Sequence, residues 1–322
     1  MTQLDAGTIR DAVELACHAP SLHNSQPWKW VTHGPVLELF AVPDPQVYST
    51  DRSGRELLLS CGALLDHLRV AMAAAGSHTT VQRLPDADDP HHLATCHFER
   101  SAAEPAHRER ADAILRRRTD RLPFAAPRGW QATEAVLRFA AGRSDVTLDV
   151  IPDDSRQQLA EASRLTEDIR RHDPTYQSEL HWWTSPFEFD QGLPPSSRVS
   201  ESEAARVDIA RSFPTTGYGQ RRPQVASDRS KVIVLSTRDD TADEVLRCGE
   251  ALSAVLLECT LAGLATCTLT HMIEVTPARE LIRRLVGQSG QPQLLVRVGT
   301  PVGHQPPATP RRPVSEVLEF RE

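Results

Sequence analysis

Ala19-Pro20-Ser21-Leu22-His23-Asn24-Ser25-Gln26-Pro27-Trp28-Lys29-Trp30 is the stretch around which the chain is organised. A helical run from Ile9 to His18 stops at Pro20, and Pro27 with Trp28 and Trp30 launches a strand. Between them stand four hydrogen-bonding side chains, Ser21, His23, Asn24 and Gln26. A loop that merely connects is more often built from Gly, Asp and Lys. Donors and acceptors this dense on a short loop read as a ligand loop.

The 322 residues are enough for two ordinary domains or one large one. A formal charge of −7 argues against nucleic acid or an anionic membrane as partner. Lysine stands only at positions 29 and 231, so nearly all positive charge is arginine, the residue suited to bidentate phosphate contacts. Six cysteines without a CxxC pair read as reduced thiols. The N-terminal residues lack the basic and apolar regions of a signal peptide, and a cytoplasmic location is expected. The apolar run Ala251 to Leu269 is broken by Glu258 and Gly263, and reads as a buried helix rather than a membrane span.

Working outward from the loop, strands are expected at 28–32, 37–42, 78–84 and 93–99, with a long helix over 55–76. These close a first half near residue 104. A basic helix at 106–118 opens the second, followed by helices near 131–141, 154–172, 243–263 and 277–286. Strands near 146–151, 231–237 and 293–298 alternate with them, and 173–229 reads as irregular. The halves repeat. Cys61-Gly62 with its helix ending at Gly76 matches Cys248-Gly249 with its helix ending at Gly263, at an offset of 187. Val42-Pro43-Asp44 likewise matches Ile151-Pro152-Asp153 at an offset of 109. The difference assigns 78 extra residues to the second half, at about 154–230.

Arg116-Arg117-Arg118-Thr119-Asp120-Arg121 is a second cluster. It reads either as an anion cradle, because guanidinium forks match phosphate oxygens, or as a solvated helix end. A third is Pro310-Arg311-Arg312-Pro313, followed by apolar residues able to dock on a sheet. There is no P-loop, no GxSxG and no HExxH, and Gly217-Tyr218-Gly219 meets Arg222 where a dinucleotide fingerprint needs glycine. His91, His92 and His97 lack nearby paired carboxylates and read as surface histidines; no metal site is expected.

PSLHNSQPW resembles the flavin loop of the nitroreductase superfamily, Pro-Ser-x-x-Asn-x-Gln-Pro-Trp. Arg117-Arg118-Thr119-Asp120-Arg121 resembles the superfamily's Arg-Arg-Ser-x-Arg motif, with threonine for serine, and Arg311-Arg312-Pro313 its C-terminal basic motif. The order, with the loop ahead of the arginines, is most similar to the actinobacterial Acg-type nitroreductases, single chains that imitate the usual homodimer. The resemblance implies an α+β, nitroreductase-like fold of two tandem halves forming a pseudo-dimer, each a sheet flanked by helices. The halves would be 1–104 and 105–322, the second carrying the insertion at about 154–230.

It also implies one FMN per chain. The first half would supply Ser21, His23, Asn24 and Gln26; the second Arg117, Arg118, Thr119 and Arg121, with Arg311 or Arg312 at the phosphate and Leu269, Thr270 and His271 beside the ring. Hydride would pass from NAD(P)H to the flavin and on to a nitroaromatic or quinone, with no catalytic side chain required. The insertion concentrates aromatic residues, among them Tyr176, Trp182, Trp183, Phe187, Phe189 and Tyr218, together with Glu179. The resemblance implies a lid over the flavin there, with Tyr176, Glu179, Trp182 and Trp183 as lid or substrate residues. A lid that seals the ring would make the protein an FMN-sequestering one. A dimer-contact arm, or a binding module without flavin, are the other readings; a monomer or weak homodimer is expected.

Overall fold

Asp5 starts the first helix: its carboxylate accepts the Thr8 N–H at 3.0 Å, satisfying a donor that a helix start leaves open. The computed structural model describes residues 5–185, 191–288, 290–303 and 305–321, so Phe187 and Phe189 lie outside the described residues. Helix α1 (Ala6–Ala16) buries Ile9, Ala12, Val13 and Ala16 along one face. Strands β1 (Trp28–His33) and β2 (Val36–Ala41) form a hairpin across Gly34-Pro35, with Gly34 at φ +56°. Helix α2 (Arg55–Ala74) and strands β3 (Ser77–Arg83) and β4 (His92–Arg100) follow.

Beyond α3 (Pro105–Arg116) and α4 (Trp130–Gly142), β5 (Thr147–Val150) begins the second group. The stretch expected to be mostly irregular holds α6 (Pro174–Trp183) and α7 (Glu201–Ala204) after the expected α5 (Arg156–Arg171). Asp173 caps α6 by accepting the N–H groups of Thr175 and Tyr176, with Pro174 at the first helical position, where its missing N–H costs nothing. The chain then runs through β6 (Lys231–Thr237), α8 (Ala242–Leu261), β7 (Ala265–Leu269), α9 (Thr276–Leu285) and β8 (Gln291–Gly299). It ends in α10 (Val314–Val317) and β9 (Leu318–Arg321).

Two sheets result, ordered β3-β4-β2-β1-β9 and β5-β6-β8-β7. Neighbours run antiparallel except β9, which lies parallel to β1 with Leu318 opposite Trp30. The C-terminal strand, read from sequence with the second half, therefore completes the sheet of the first. Read from its other edge, the second sheet is β7-β8-β6-β5, which equates β3, β4, β2 and β1 with β7, β8, β6 and β5. This corrects the sequence match at Pro43 and Pro152, which would equate β2 with β5. Proline followed by aspartate ends a strand wherever one must stop, so the signature marks an end without saying which strand it is. Residues 151–230 connect β5 to β6, where the first hairpin has only Gly34-Pro35.

The helices α2 and α8 cross at Gly62 and Gly249. A Cβ on Gly62 would collide with the Leu246 carbonyl oxygen and lie 2.9 Å from the Gly249 Cα; one on Gly249 would collide with the Leu59 carbonyl oxygen. Leu59 and Leu246, like Gly62 and Gly249, differ by the repeat offset of 187. So do Asp66 and Ser253, whose hydroxyl donates to the Asp66 carboxylate at 2.6 Å. Residues at matching positions of the two helices thus meet one another. Apolar side chains of alternate residues on β6 and β8 face opposite ways: Ile233, Leu235, Leu294 and Val296 pack toward α8, and Val232, Val234 and Leu295 toward α5 and α9. Among the described residues, α2 is the one helix long and apolar enough to cross a membrane, and most of it is buried inside the protein.

Candidate functional site

The loop after Pro20 is held in an unusual backbone. His23, Asn24 and Gln26 have φ of +50°, +63° and +50°, in the left-handed region that non-glycine residues enter at a cost. Side-chain pins hold it there. Ser21 Oγ accepts the Gln26 N–H at 3.0 Å, and Ser60 Oγ accepts the Leu22 N–H at 3.2 Å. Asn24 Oδ1 accepts from Arg311 at 2.9 Å while its Nδ2 donates to the Pro310 carbonyl at 3.1 Å. Gln26 Oε1 accepts the Arg312 backbone N–H at 2.9 Å. Thus two of the four predicted loop side chains bind the C-terminal basic segment and bring it against the loop.

The arginine motif arrives from the second half. Thr119 pairs with Thr266 as an isolated parallel bridge, and the Asp120 N–H donates to the Thr266 carbonyl at 2.8 Å. Side chains alternate along such an extended run. Asp120 turns inward to a buried ion pair with Arg222 at 2.6 Å, whereas Thr119 and Arg121 line two adjoining cavities. The smaller, about 50 Å³, is bordered by His18, Ser21, Asn24, Arg117, Arg118, Thr119, Arg121 and Arg311.

Four guanidiniums meet there without a carboxylate among the described residues. Arg117 is buried, donates to the His18 carbonyl at 3.2 Å, and leaves its Nε without a partner. Arg118, Arg121 and Arg311 donate to backbone carbonyls, Arg311 also to Asn24 and Thr309. Burial, then the charges of Arg311 and Arg118, push Arg117 down to about 9; burial chiefly, with Arg118 adding, pushes Arg311 down to about 10. Burial and the same guanidiniums push His18 down to about 4. Cations drawn partly out of water without a counter-ion are costly, and guanidinium forks have the geometry to pair with an anion such as a phosphate.

The larger cavity, about 690 Å³, shares Pro20, Ser21, Thr119 and Arg121 with the smaller and is of the size that small-molecule sites occupy. Its walls come from Leu22, His23, Glu56 and Leu59 in the first half, and from Leu252, Thr268, Leu269, Thr270, Leu294 and Arg297 in the second. The insertion adds Ser163 and Glu167 on α5 and the strap Ala210–Phe213. His23 lies between Trp183, 6.2 Å away at 28°, and Phe213, 5.8 Å away edge-on. Burial, then Arg211 and Arg121, keeps its imidazole neutral well below the ordinary range. Arg121 lies over the Phe213 ring at 5.2 Å.

Of the other predicted residues, Leu269 and Thr270 line the large cavity; His271 sits behind it, Nε2 2.9 Å from Ser163 Oγ. Arg312 and Gln26 line neither cavity, and Arg312 reaches Glu316 instead. Tyr176, Glu179, Trp182 and Trp183 also lie off both cavities. The Tyr176 hydroxyl accepts from Arg211 at 2.8 Å. Glu179 accepts the N–H groups of Ser49 and Thr50, Trp183 Nε1 donates to the Gln46 carbonyl at 2.7 Å, and Trp182 is half-exposed. They clamp α6 onto the first half beside His23. Sequence reasoning missed Glu56, Glu167 and Phe213. For Glu167 a signal existed: the buried face of α5 carries Ser163, Thr166 and Glu167 among Leu159 and Ala162, polar where packing alone asks for apolar.

No family model matches the chain. It is 53% identical over 323 residues to a protein of Mycobacterium tuberculosis H37Rv named "Putative NAD(P)H nitroreductase acg", across 99% of this chain and 98% of that one. A second protein of that strain, "Putative NAD(P)H nitroreductase Rv3131", is 37% identical over 322 residues, across 99% of this chain and 93% of that one. Among solved structures, the FMN-dependent nitroreductase NfnB from Mycobacterium smegmatis in complex with NADPH is similar at a TM-score of 0.42 and 15% identity. That alignment covers 67% of this chain and 100% of that one.

Proposed function

Since the chain belongs to the nitroreductase family of Acg, we propose that it binds one FMN and serves as an NAD(P)H oxidoreductase toward a small acceptor, a nitroaromatic or a quinone. The observation that carries this is the corner of Arg117, Arg118 and Arg311, cations with no carboxylate among the described residues and an unpartnered Arg117 Nε, adjoining the 690 Å³ cavity. These residues fit the group. The arginines would hold its phosphate, the Ser21 and Thr119 hydroxyls would stand between corner and cavity, and Leu269 and Thr270 would flank the ring. Bound FMN supplies acceptance of hydride from the nicotinamide and its delivery onward. Arg121 offsets negative charge in the cavity, and the apolar Leu59, Leu252 and Leu294 exclude water.

The chain is then two halves, 1–104 and 105–322, paired as a pseudo-dimer, with the insertion at about 154–230 covering the site. One half brings the loop and the other the arginines, so each chain builds a single site. Absorption spectra of the purified protein test this: one FMN per chain is expected, and Arg117→Ala should weaken its retention at least tenfold, since hydrogen bonds to charged groups contribute about 1.5–3 kcal/mol. Two equivalents per chain, or none after reconstitution, contradicts it.

A second reading, FMN held without turnover, is favoured by one feature: the strap at 210–213 walls the cavity and presses Phe213 against His23. Rapid oxidation of NADH or NADPH by the FMN-loaded protein excludes it. Slow reduction that quickens in Phe213→Ala supports it.

A further inference from the structure

The two sheets end in the edge strands β3, β9, β5 and β7, and the backbone of an edge strand pairs with whatever extended chain reaches it. Three of these edges are blunted. Along β7, Thr119 bridges Thr266, and the Asp120 N–H donates to the Thr266 carbonyl at 2.8 Å. Beside β5, the Arg138 guanidinium donates to the Leu148 carbonyl and stands 3.6 Å from the Asp149 carboxylate. Strand β9 is only four residues long and carries charge, with Glu319 paired to both Lys29 and Arg321.

Strand β3 has none of these devices. It runs for seven residues, Ser77 to Arg83, with β-branched Thr79, Thr80 and Val81 at its centre and no proline. It pairs with β4 along its whole length, which turns the N–H and C=O groups of alternate residues outward. Among the described residues, no hydrogen bond from the β3 backbone runs anywhere but to β4. The repeat offset of 187 equates Thr79 with Thr266, the residue that Thr119 and Asp120 cover on β7. One half therefore holds an extended segment at the position where the other leaves its edge open. No residue of β3 lines either cavity.

We propose that two copies of this chain associate edge to edge through β3, antiparallel about a twofold axis at Thr80, joining their five-stranded sheets into one. The strand is its own complement in that register. Thr80 meets Thr80 of a second copy, Thr79 meets Val81, His78 meets Gln82 and Ser77 meets Arg83, β-branched pairs at the centre and no like charges opposed. The Arg83 guanidinium is drawn aside to Glu250 by hydrogen bonds of 2.6 and 2.9 Å, so its charge does not guard the edge. A closed pair of this kind uses up both edges and goes no further.

Sedimentation equilibrium of the purified chain tests this. The weight-average mass should climb toward that of a dimer as concentration is raised about a hundredfold. Thr80→Lys sets two ammonium groups against each other across the axis and should weaken association about tenfold or more; Thr80→Glu should do the same with two carboxylates. An equal mixture of the two variants should associate again, because opposite charges then face each other. Thr80 is exposed, so neither change reaches the core. A wild type that stays monomeric at every concentration overturns the proposal, as does association that both variants leave intact or that the mixture does not restore. Should a variant not fold, amide exchange of the wild type decides: slower exchange in Ser77–Arg83 at the higher concentration supports edge pairing, and unchanged exchange there rejects it. None of these measurements depends on bound FMN, so the flavin reading stands or falls separately.

Discussion

Asn24 touches the anion corner through Arg311. Its amide oxygen fixes the Arg311 guanidinium and its nitrogen the Pro310 carbonyl, so it orients the segment that brings the charge. Asn24→Ala should therefore weaken FMN binding about tenfold, the worth of one such hydrogen bond, and Arg311→Ala by more. Isothermal titration checks the order; equal affinity for wild type and Asn24→Ala would make the loop purely structural. That this loop would find partners beyond a plain turn was legible, because polar side chains crowded between two prolines have few packing uses, and Asn24 and Gln26 bond to the C-terminal basic segment. Which way each would point was not. Positive φ at His23, Asn24 and Gln26 breaks any simple alternation, and nothing local in the sequence forces it.

Among the elements, the α2–α8 crossing carries the sharpest consequence. Two backbones approach so closely at Gly62 and Gly249 that a single methyl group meets carbonyl oxygen and Cα on the facing helix. Backbone cannot yield as a side chain can, so Gly249→Ala should cost about 3 kcal/mol or more. Gly142→Ala, where an added Cβ meets nothing within 4 Å, should be neutral or slightly stabilising. Urea unfolding of the two variants distinguishes them; a wild-type midpoint for Gly249→Ala would refute the close crossing. The repeat in these helices was readable because glycine is demanded on both sides of one contact. The strand correspondence was misread because its signature was a terminator. The aromatic residues of α6 were read as a cover on the cavity, but apolar content says only that a segment packs, and this one packs on residues 46–50.

At the scale of the molecule, a chain of net charge −7 keeps a positive interior corner and several histidines buried or half-buried near guanidiniums. His18, His23, His67 and His271 are all held below the ordinary value of 6.5, by burial first and by nearby guanidiniums next. The unfolded chain takes up these protons near pH 6.5, and the folded chain refuses them until about 4 at His18 and until well below 6.5 at the other three. Unfolding is then coupled to proton uptake, so stability is full above pH 6.5 and falls as the pH drops toward 4. His18→Asn should make that fall shallower. Urea midpoints at pH 7.5, 5.5 and 4.5 would show it; midpoints that do not move contradict buried neutral imidazoles.

The last strand, β9, returns from the second group of elements to complete the sheet of the first. Where two separate subunits share a binding site, dilution takes the site apart. Here both contributors ride on one polypeptide, at an effective concentration that a short tether holds near the millimolar range whatever the bulk concentration. A cell making only a few copies of this chain would still bring the loop and the arginine cluster together in each of them.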